Sequence, residues 1–252
     1  MKTIDVCFAL DPYKPFFDYP DFDDLAKQAK GTRLEEALED LRYAWHTASA
    51  VHCTPFTLAG LVTRGFNAFV RLRRNDFHCF NEYIKDTKLA PADLSKLAEE
   101  ESLEDGWKGI IEDERLQLPF MFMQRIAYSH LYFAYENFLL VCARVAAGSP
   151  KLRTTDRKPS FAAVLSKHFD AQLADFCWTC DNIQLVKGAR NAIVHNGCKS
   201  DKPIGPLNAR FGELQVSPSD VSRLFNDLKE RVILLVNHET TQRVESRGGA
   251  VG

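Results

Sequence analysis

Residues 119–147 read PFMFMQRIAYSHLYFAYENFLLVCARVAA. Apolar residues recur in this stretch every three to four positions, which is the period of a helix and not of a strand. Pro119, behind Leu118, suits a first helical turn, and Gly148 with Pro150 supplies the stop. Its most apolar part, 131–147, is interrupted by Glu136, Asn137 and Arg144, so it does not read as a membrane span. A long helix that is apolar around most of its circumference belongs at the centre of a helical protein.

The same period returns on either side. Thr32 and Glu35 have the spacing of a capping box ahead of LEEALEDLRYAWHTASAV. Thr54-Pro55 reads as an N-cap followed by the first residue of a helix to about Lys88, and Pro91 opens a third, acidic segment. Beyond Gly148, Ser160 is expected to cap FAAVLSKHFDAQLADFCWTC and Asp181 to cap NIQLVKGARNAIVH, which Gly197 ends. A loop, KSDKPIGPLN, leads to a short strand, FGELQV; Ser217-Pro218 with Asp220 then opens a last helix to about Val244. The expected fold is all-α. A helical N-terminal region of unassigned role spans 1–115, and a bundle spans 116–245. Its four helices lie at roughly 119–147, 160–180, 181–196 and 217–244, with a disordered tail at 246–252.

Composition narrows the function classes. In 252 residues, Lys and Arg number 32 against 34 Asp and Glu, a net charge of −2, with 45% hydrophobic and 26% charged residues. These are values of an ordinary globular protein; they exclude a disordered, collagen-like or disulfide-packed chain. They also exclude a uniformly basic surface, so any nucleic-acid contact is local. Residues 93–114 carry net −7, whereas 54–75 and 151–199 each carry net +4. The start, MKTIDVCFALDPYK, does not read as a secretion signal, and seven cysteines, an odd number, read as reduced thiols. The expected compartment is the cytoplasm, with no membrane partner.

The chain contains no GxGxxG, GxxxxGK[ST], GxSxG or HExxH, which removes phosphate loops, serine-hydrolase elbows and zincin sites. What stands out is Lys187-Gly-Ala-Arg190-Asn191-Ala-Ile-Val-His195-Asn196-Gly197. At about 100° per residue, Leu185, Val186, Ala189, Ala192 and Ile193 share one arc of a helix. Lys187, Arg190, Asn191 and His195 share the opposing arc, and Asn191 and His195 are i, i+4 neighbours. Such a helix buries one face and offers a cation, an amide and an imidazole on the other. Other Arg-to-His spacings of this size occur, at Arg71 or Arg73 with His78, Arg125 with His130 and Arg231 with His238. None of them has Asn directly after the Arg or a helix-stopping His-Asn-Gly.

Arg190-Asn191-x3-His195, in the third of four C-terminal helices, resembles the R-x(4–6)-H hallmark of the HEPN superfamily. The resemblance covers roughly residues 119–244. It implies an HEPN-like four-helix bundle and a metal-independent endoribonuclease that works as a homodimer, with the motif helices facing across a two-fold axis. RNA supplies its own nucleophile, the 2′-hydroxyl. Cleavage then needs a general acid/base, for which His195 is suited, and a cation at the crowded phosphate, for which Arg190 is suited. Asn191 would orient His195 or touch phosphate. Lys187, Asn196 and Glu136 are the expected substrate-binding residues, and no cofactor or metal is needed. The resemblance also suggests a toxin or anti-phage effector, with an antitoxin or regulatory protein as a further partner. Gly197 departs from toxins of this family that carry Tyr two residues after the His. A catalytically silent HEPN-like module that binds RNA or protein is the alternative.

Two further patterns need weighing. Cys177-x2-Cys180 with His195-x2-Cys198 has a zinc-like spacing, but Phe176 and Trp178 between them call for packing, and buried reduced thiols are the favoured reading. Ser129, Tyr132 and Tyr135 are expected to pack with their polar tips satisfied locally. His46, His52, His78, His168 and His238 have no matched partners and read as structural or exposed.

Overall fold

The computed structural model describes residues 15–75, 114–210 and 212–248, with side chains described for most of 15–55 and 122–243. A 3-10 turn at Tyr19–Phe22 leads into α1 (Asp23–Ala29) and α2 (Glu35–Asn75). After residues 76–113 come α3 (Glu114–Ala147), α4 (Phe161–Phe169), a short α5 (Ala171–Ala174), a π turn (Asp175–Thr179) and α6 (Asp181–His195). Two-residue strands β1 (Ala209–Arg210) and β2 (Glu213–Leu214) pair antiparallel, and α7 (Pro218–Gly248) closes the chain. The fold is all-α, as the periodicity requires. Among the described residues, no helix is long and apolar enough to cross a membrane.

The chain divides into two units, Met1–Lys14 with Cys53–Phe122, and Pro15–His52 with Met123–Gly252. The second contains the motif helix, and its core joins residues far apart in sequence. Phe17, Phe22, Leu41 and Trp45 pack with Leu131, Tyr135, Phe138, Val186, Leu228 and Val232. Trp45 donates its indole N–H to the Leu131 carbonyl at 3.2 Å, and Phe225 meets the rings of Phe17 and Trp45. Residues 15–52, left without a role by the sequence, are thus part of the unit that carries the motif.

Several boundaries differ from expectation for local reasons. No new helix starts at Thr54-Pro55: α2 runs through, with Pro55 inside it. Proline fits a helix's first turn without loss, so that dipeptide signals a start, but an interior proline only forfeits one backbone bond and crowds the preceding turn. Likewise α3 begins at Glu114, ahead of Pro119. The expected helices from 76 to about 88 and from 91 fall outside the described residues. The Thr32/Glu35 cap forms with its partners shifted: Thr32 Oγ1 accepts from Leu34 N–H at 3.2 Å, and Glu35 accepts from Gly31 N–H at 2.6 Å. Ser217 and Asp220 make the reciprocal cap as read, with Asp220 N–H to Ser217 Oγ at 3.2 Å and Ser217 N–H to Asp220 at 3.0 Å. Helix α7 continues to Gly248, past Val244 and into the stretch expected to be a tail.

The segment 160–180 is not one helix. Ser160 caps α4 as expected, accepting from Ala163 N–H at 3.2 Å, but the helix stops at Asp170, whose φ is +102°. Asp170 then caps a second start, accepting from the N–H groups of Gln172 and Leu173. The chain widens at once into the π turn, where Cys180 N–H reaches back five residues to the Asp175 carbonyl at 2.9 Å. Cys180, not Asp181, is the N-cap of α6, and it makes no side-chain cap bond.

Candidate functional site

The π turn sets where the motif helix begins, and side chains from three helices hold its carbonyls. Tyr135 of α3 donates its hydroxyl to Cys177 O at 2.7 Å. Arg231 of α7 donates to Phe176 O while its guanidinium lies 4.1 Å from the Phe176 ring centroid. Gln184 of α6 donates to Trp178 O at 2.6 Å. Arg231 is 2% exposed and its charge is matched by Asp227 at 3.1 Å. Trp178 packs edge-on to Phe161 at 4.8 Å, which fixes the turn against α4.

From this anchor α6 buries Ile183, Val186, Ala189 and Ala192; the last three lie on the apolar arc expected from the wheel, whose Ile193 is half-buried, whereas Ile183 was not placed on it. Leu185, placed on that arc by sequence, is instead 48% exposed, and it is the side chain that Gly205 of the following loop approaches. The loop lies so close that a Cβ on Gly205 would stand 3.0 Å from Leu185 Cβ. Gly205 also has φ +57°, a conformation glycine adopts without penalty. At the C-terminus, Asn196 and Cys198 N–H groups both bond Ala192 O, at 3.1 and 3.0 Å, with Gly197 at φ +60° between them. The chain after His195 is then tied to α3: Arg125 pairs with Glu213 at 2.8 Å and donates to Leu214 O, while Leu214 N–H bonds Cys198 O at 2.8 Å.

The motif residues sit as follows. Arg190 is half-buried and donates through one terminal nitrogen to Asn191 Oδ1 at 2.9 Å, while its Nε is buried without a partner. Asn191 therefore orients Arg190 rather than His195. His195 is the last residue of α6 and is exposed, with no hydrogen bond or ion pair among the described residues. On an α-helix it lies about 140° around the axis from Arg190 and about 40° from Asn191. Lys187 rests its ammonium 4.5 Å from the Trp178 ring centroid, and Asn196 is exposed beside His195. Glu136 of α3 is half-buried, and its carboxylate and the Arg190 guanidinium both act on the Tyr132 hydroxyl. Burial, then Glu136, pushes that phenol's pKa up, and Arg190 works against them. The structure thus joins Arg190 to Asn191, places Glu136 on α3 where it and Arg190 both act on Tyr132, and leaves His195 exposed at the end of α6.

Arginine pairing differs along the unit. Arg33 holds Glu239, Arg42 holds Asp23, Arg125 holds Glu213 and Arg231 holds Asp227, each between 2.6 and 3.1 Å. Arg190, half-buried, holds only a neutral amide, as half-buried Arg144 holds only the Leu152 carbonyl. The cysteines do not converge. Cys177 and Cys180 lie at the π turn beside Arg231, whereas Cys198 is buried near Arg125 and Glu213. Burial raises the Cys177 thiol to about 12 and also raises Cys198, so both are thiols at neutral pH. Among the described residues, no three His, Cys, Asp or Glu side chains are grouped to hold a metal. A cavity of about 80 Å³ lies on another face of α3, between Asp40 and Leu41 on one side and His130, Phe133 and Phe138 on the other. It shares no residue with the motif.

Sequence reasoning missed Tyr132 and Arg231. Tyr132 read as packing, and Arg231 as one of several Arg-to-His coincidences; the bond from Arg231 to the Phe176 carbonyl joins residues 55 apart, which no local pattern encodes. Comparison with protein families, curated proteins and solved structures finds no match to this chain.

Proposed function

We propose that this protein is a metal-independent endoribonuclease of the HEPN type, acting on RNA as a homodimer, in the manner of a toxin or anti-phage effector. One observation carries the reading: Arg190 is a half-buried guanidinium without a carboxylate within ion-pair distance among the described residues, whereas Arg33, Arg42, Arg125 and Arg231 each have one. A withdrawn, unmatched guanidinium is costly to keep unless an anion completes it, and phosphate oxygens fit its planar donors.

In the proposed reaction the 2′-hydroxyl of RNA attacks the adjacent phosphorus. Its proton passes to a base, and the 5′-oxygen leaves with a proton from an acid, giving a 2′,3′-cyclic phosphate. Arg190, held by Asn191, stabilises charge on the phosphorane. His195 takes one proton role. The other comes from a second His195 across a two-fold axis, which also accounts for His195 lying well around the helix from Arg190 of its own chain. Asn196 and Glu136 border this surface and are the proposed substrate contacts. Lys187, seated on Trp178, adds positive charge. The exposure and lack of partners of His195 also suit a silent RNA- or protein-binding module, so activity decides. Purified protein is incubated with total tRNA and mRNA in EDTA, beside Arg190→Ala and His195→Ala. Cleavage by wild type alone, leaving cyclic phosphate ends, supports the ribonuclease. Inactive wild type that is also harmless when expressed supports the binding module.

A further inference from the structure

Helix α3 leaves one stripe uncovered. Ile126 is 40% and Phe133 51% exposed, and Leu140, a further seven residues on, is half-buried. Residues seven apart fall almost on one line along a helix, so these three form an apolar ridge about 21 Å long. Asn137 stands exposed on this ridge, with half-buried His130 at its edge. Contacts fix what flanks it. On one side Trp45 of α2 bonds the Leu131 carbonyl, and the cavity of about 80 Å³ lies between the two helices, with Ala37, Ala44 and Ala134 among its walls. On the other side Arg125 bonds the Leu214 carbonyl and Leu214 N–H bonds Cys198 O, which places the end of α6 there. Val194 of α6, one turn from Arg190, is 50% exposed. A line of exposed isoleucine and phenylalanine beside a hollow walled by alanines is the relief with which helix surfaces interlock.

We propose that this ridge is the face on which a second copy of the chain docks, with the two α3 helices antiparallel about a two-fold axis at Phe133. The ridge is complementary to itself in that register. Phe133 meets its own copy, Ile126 falls opposite Leu140 of the second copy, and His130 falls opposite its Asn137. Apolar groups thus meet apolar groups, and an imidazole meets an amide that can donate or accept. None of these five positions carries a carboxylate, ammonium or guanidinium, so docking buries no fixed charge without a partner. A parallel pairing would set His130 against His130 and gain no bond from imidazole to amide. The ridge alone, about 21 Å by 10 Å, is smaller than the roughly 800 Å² per partner of a stable dimer, so the parts of α2 and α6 beside it belong to the interface. A half-turn about an axis lying across α3 returns each flank to its own side, which brings α6 beside α6 of the second copy. That is how a second His195 would reach the site; this consequence rests on the ribonuclease reading, and the docking does not.

Sedimentation equilibrium of the full chain over a dilution series tests the docking. Wild type should be a dimer, and Phe133→Asp should raise its dissociation constant at least about a hundredfold, because two copies of a central anchor are lost together. Leu234→Asp, which changes a 41% exposed apolar residue on α7, is the control and should leave the dimer intact. Oxidative cross-linking reads the register: an equimolar mixture of His130→Cys and Asn137→Cys should give more covalent dimer than either variant alone. This second measurement stands even if Phe133→Asp fails to fold. The proposal is overturned by a monomeric wild type, which would leave the face to some other protein, or by a Phe133→Asp dimer as tight as wild type. Equal loosening by Leu234→Asp, or cross-linking no greater in the mixture than in the separate variants, overturns it as well. A dimeric wild type that cleaves no RNA counts against the ribonuclease alone. Cleavage by wild type alongside an undiminished Phe133→Asp dimer leaves the ribonuclease standing and removes this interface.

Discussion

Replacing Arg231 by Met tests whether the π turn is held mainly through its carbonyls. The substitution keeps most of the aliphatic stem and removes the guanidinium. Lost with it are a charge-assisted bond to the buried Phe176 carbonyl and the stacking on the Phe176 ring at 4.1 Å. The first is worth about 1.5–3 kcal/mol and the second about 0.5–2 kcal/mol, partly returned by the methionine sulfur against the same ring. The pair with Asp227 adds less than about 1 kcal/mol, because that carboxylate is 27% exposed and screened. The expected loss is about 3 kcal/mol, and Asp227→Asn, which leaves the carbonyl bond in place and an amide oxygen able to accept from Arg231, should cost less. In urea, with a slope of about 2–3 kcal/mol/M, the Arg231→Met midpoint should fall by about 1 M. Tryptophan fluorescence, to which Trp178 at the turn and Trp45 in the core both contribute, reports the transition. Equal losses in Arg231→Met and Asp227→Asn would refute the reasoning, placing the stabilisation in the ion pair and not in the turn.

Gly205→Ala and Gly148→Ala make a matched pair. Both glycines have φ near +60°, but a Cβ at 148 meets nothing within 4 Å, whereas one at 205 strikes Leu185 at 3.0 Å. Thermal melts should show about 1 kcal/mol lost at 148 and about 1–3 kcal/mol more at 205, and equal losses would count against the close approach of loop and motif helix. Ser160→Ala removes the α4 cap and should cost about 1 kcal/mol, read in the urea midpoint, with Ser160→Thr restoring most of it. His52 is buried with Nδ1 2.5 Å from Gln124 Oε1, and burial holds its pKa below 6.5. The unfolded chain therefore takes up this proton first. The stability due to neutral His52 is full above about pH 6.5 and is lost as pH falls below it. Between pH 7.5 and 5.5 the wild-type midpoint should drop more than that of His52→Gln, and an equal drop would remove His52 as the cause.

The helical character of the chain was legible because apolar spacing repeats along it, and the caps at Ser160 and Ser217 were legible because they are made within three residues. The breaks were not. Asp170 takes φ +102°, and the carbonyls of the π turn are held by Tyr135 and Arg231, 42 and 55 residues from the groups they bond. Pro55 misled because proline suits a helix's first turn yet here lies inside a continuous one. At the candidate site, the grouping of Arg190 with Asn191 could be read from adjacency. Leu185 was misplaced because a wheel assumes a solvent side and a core side, with no loop lying over part of the helix. That Arg190 has no carboxylate partner among the described residues is a three-dimensional fact with no local signature.

The unit that carries the motif is assembled from two stretches of chain, 15–52 and 123–252. During synthesis, Phe17, Phe22 and Trp45 leave the ribosome before any of their partners on α3, α6 or α7 has been made. The intervening 70 residues alone take about 4–14 s at ordinary elongation rates, and the helix carrying Phe225 comes last of all. For that interval an aromatic cluster must stay exposed or be shielded by other means. Nascent chains halted between residues 52 and 123 should be where a chaperone finds this protein.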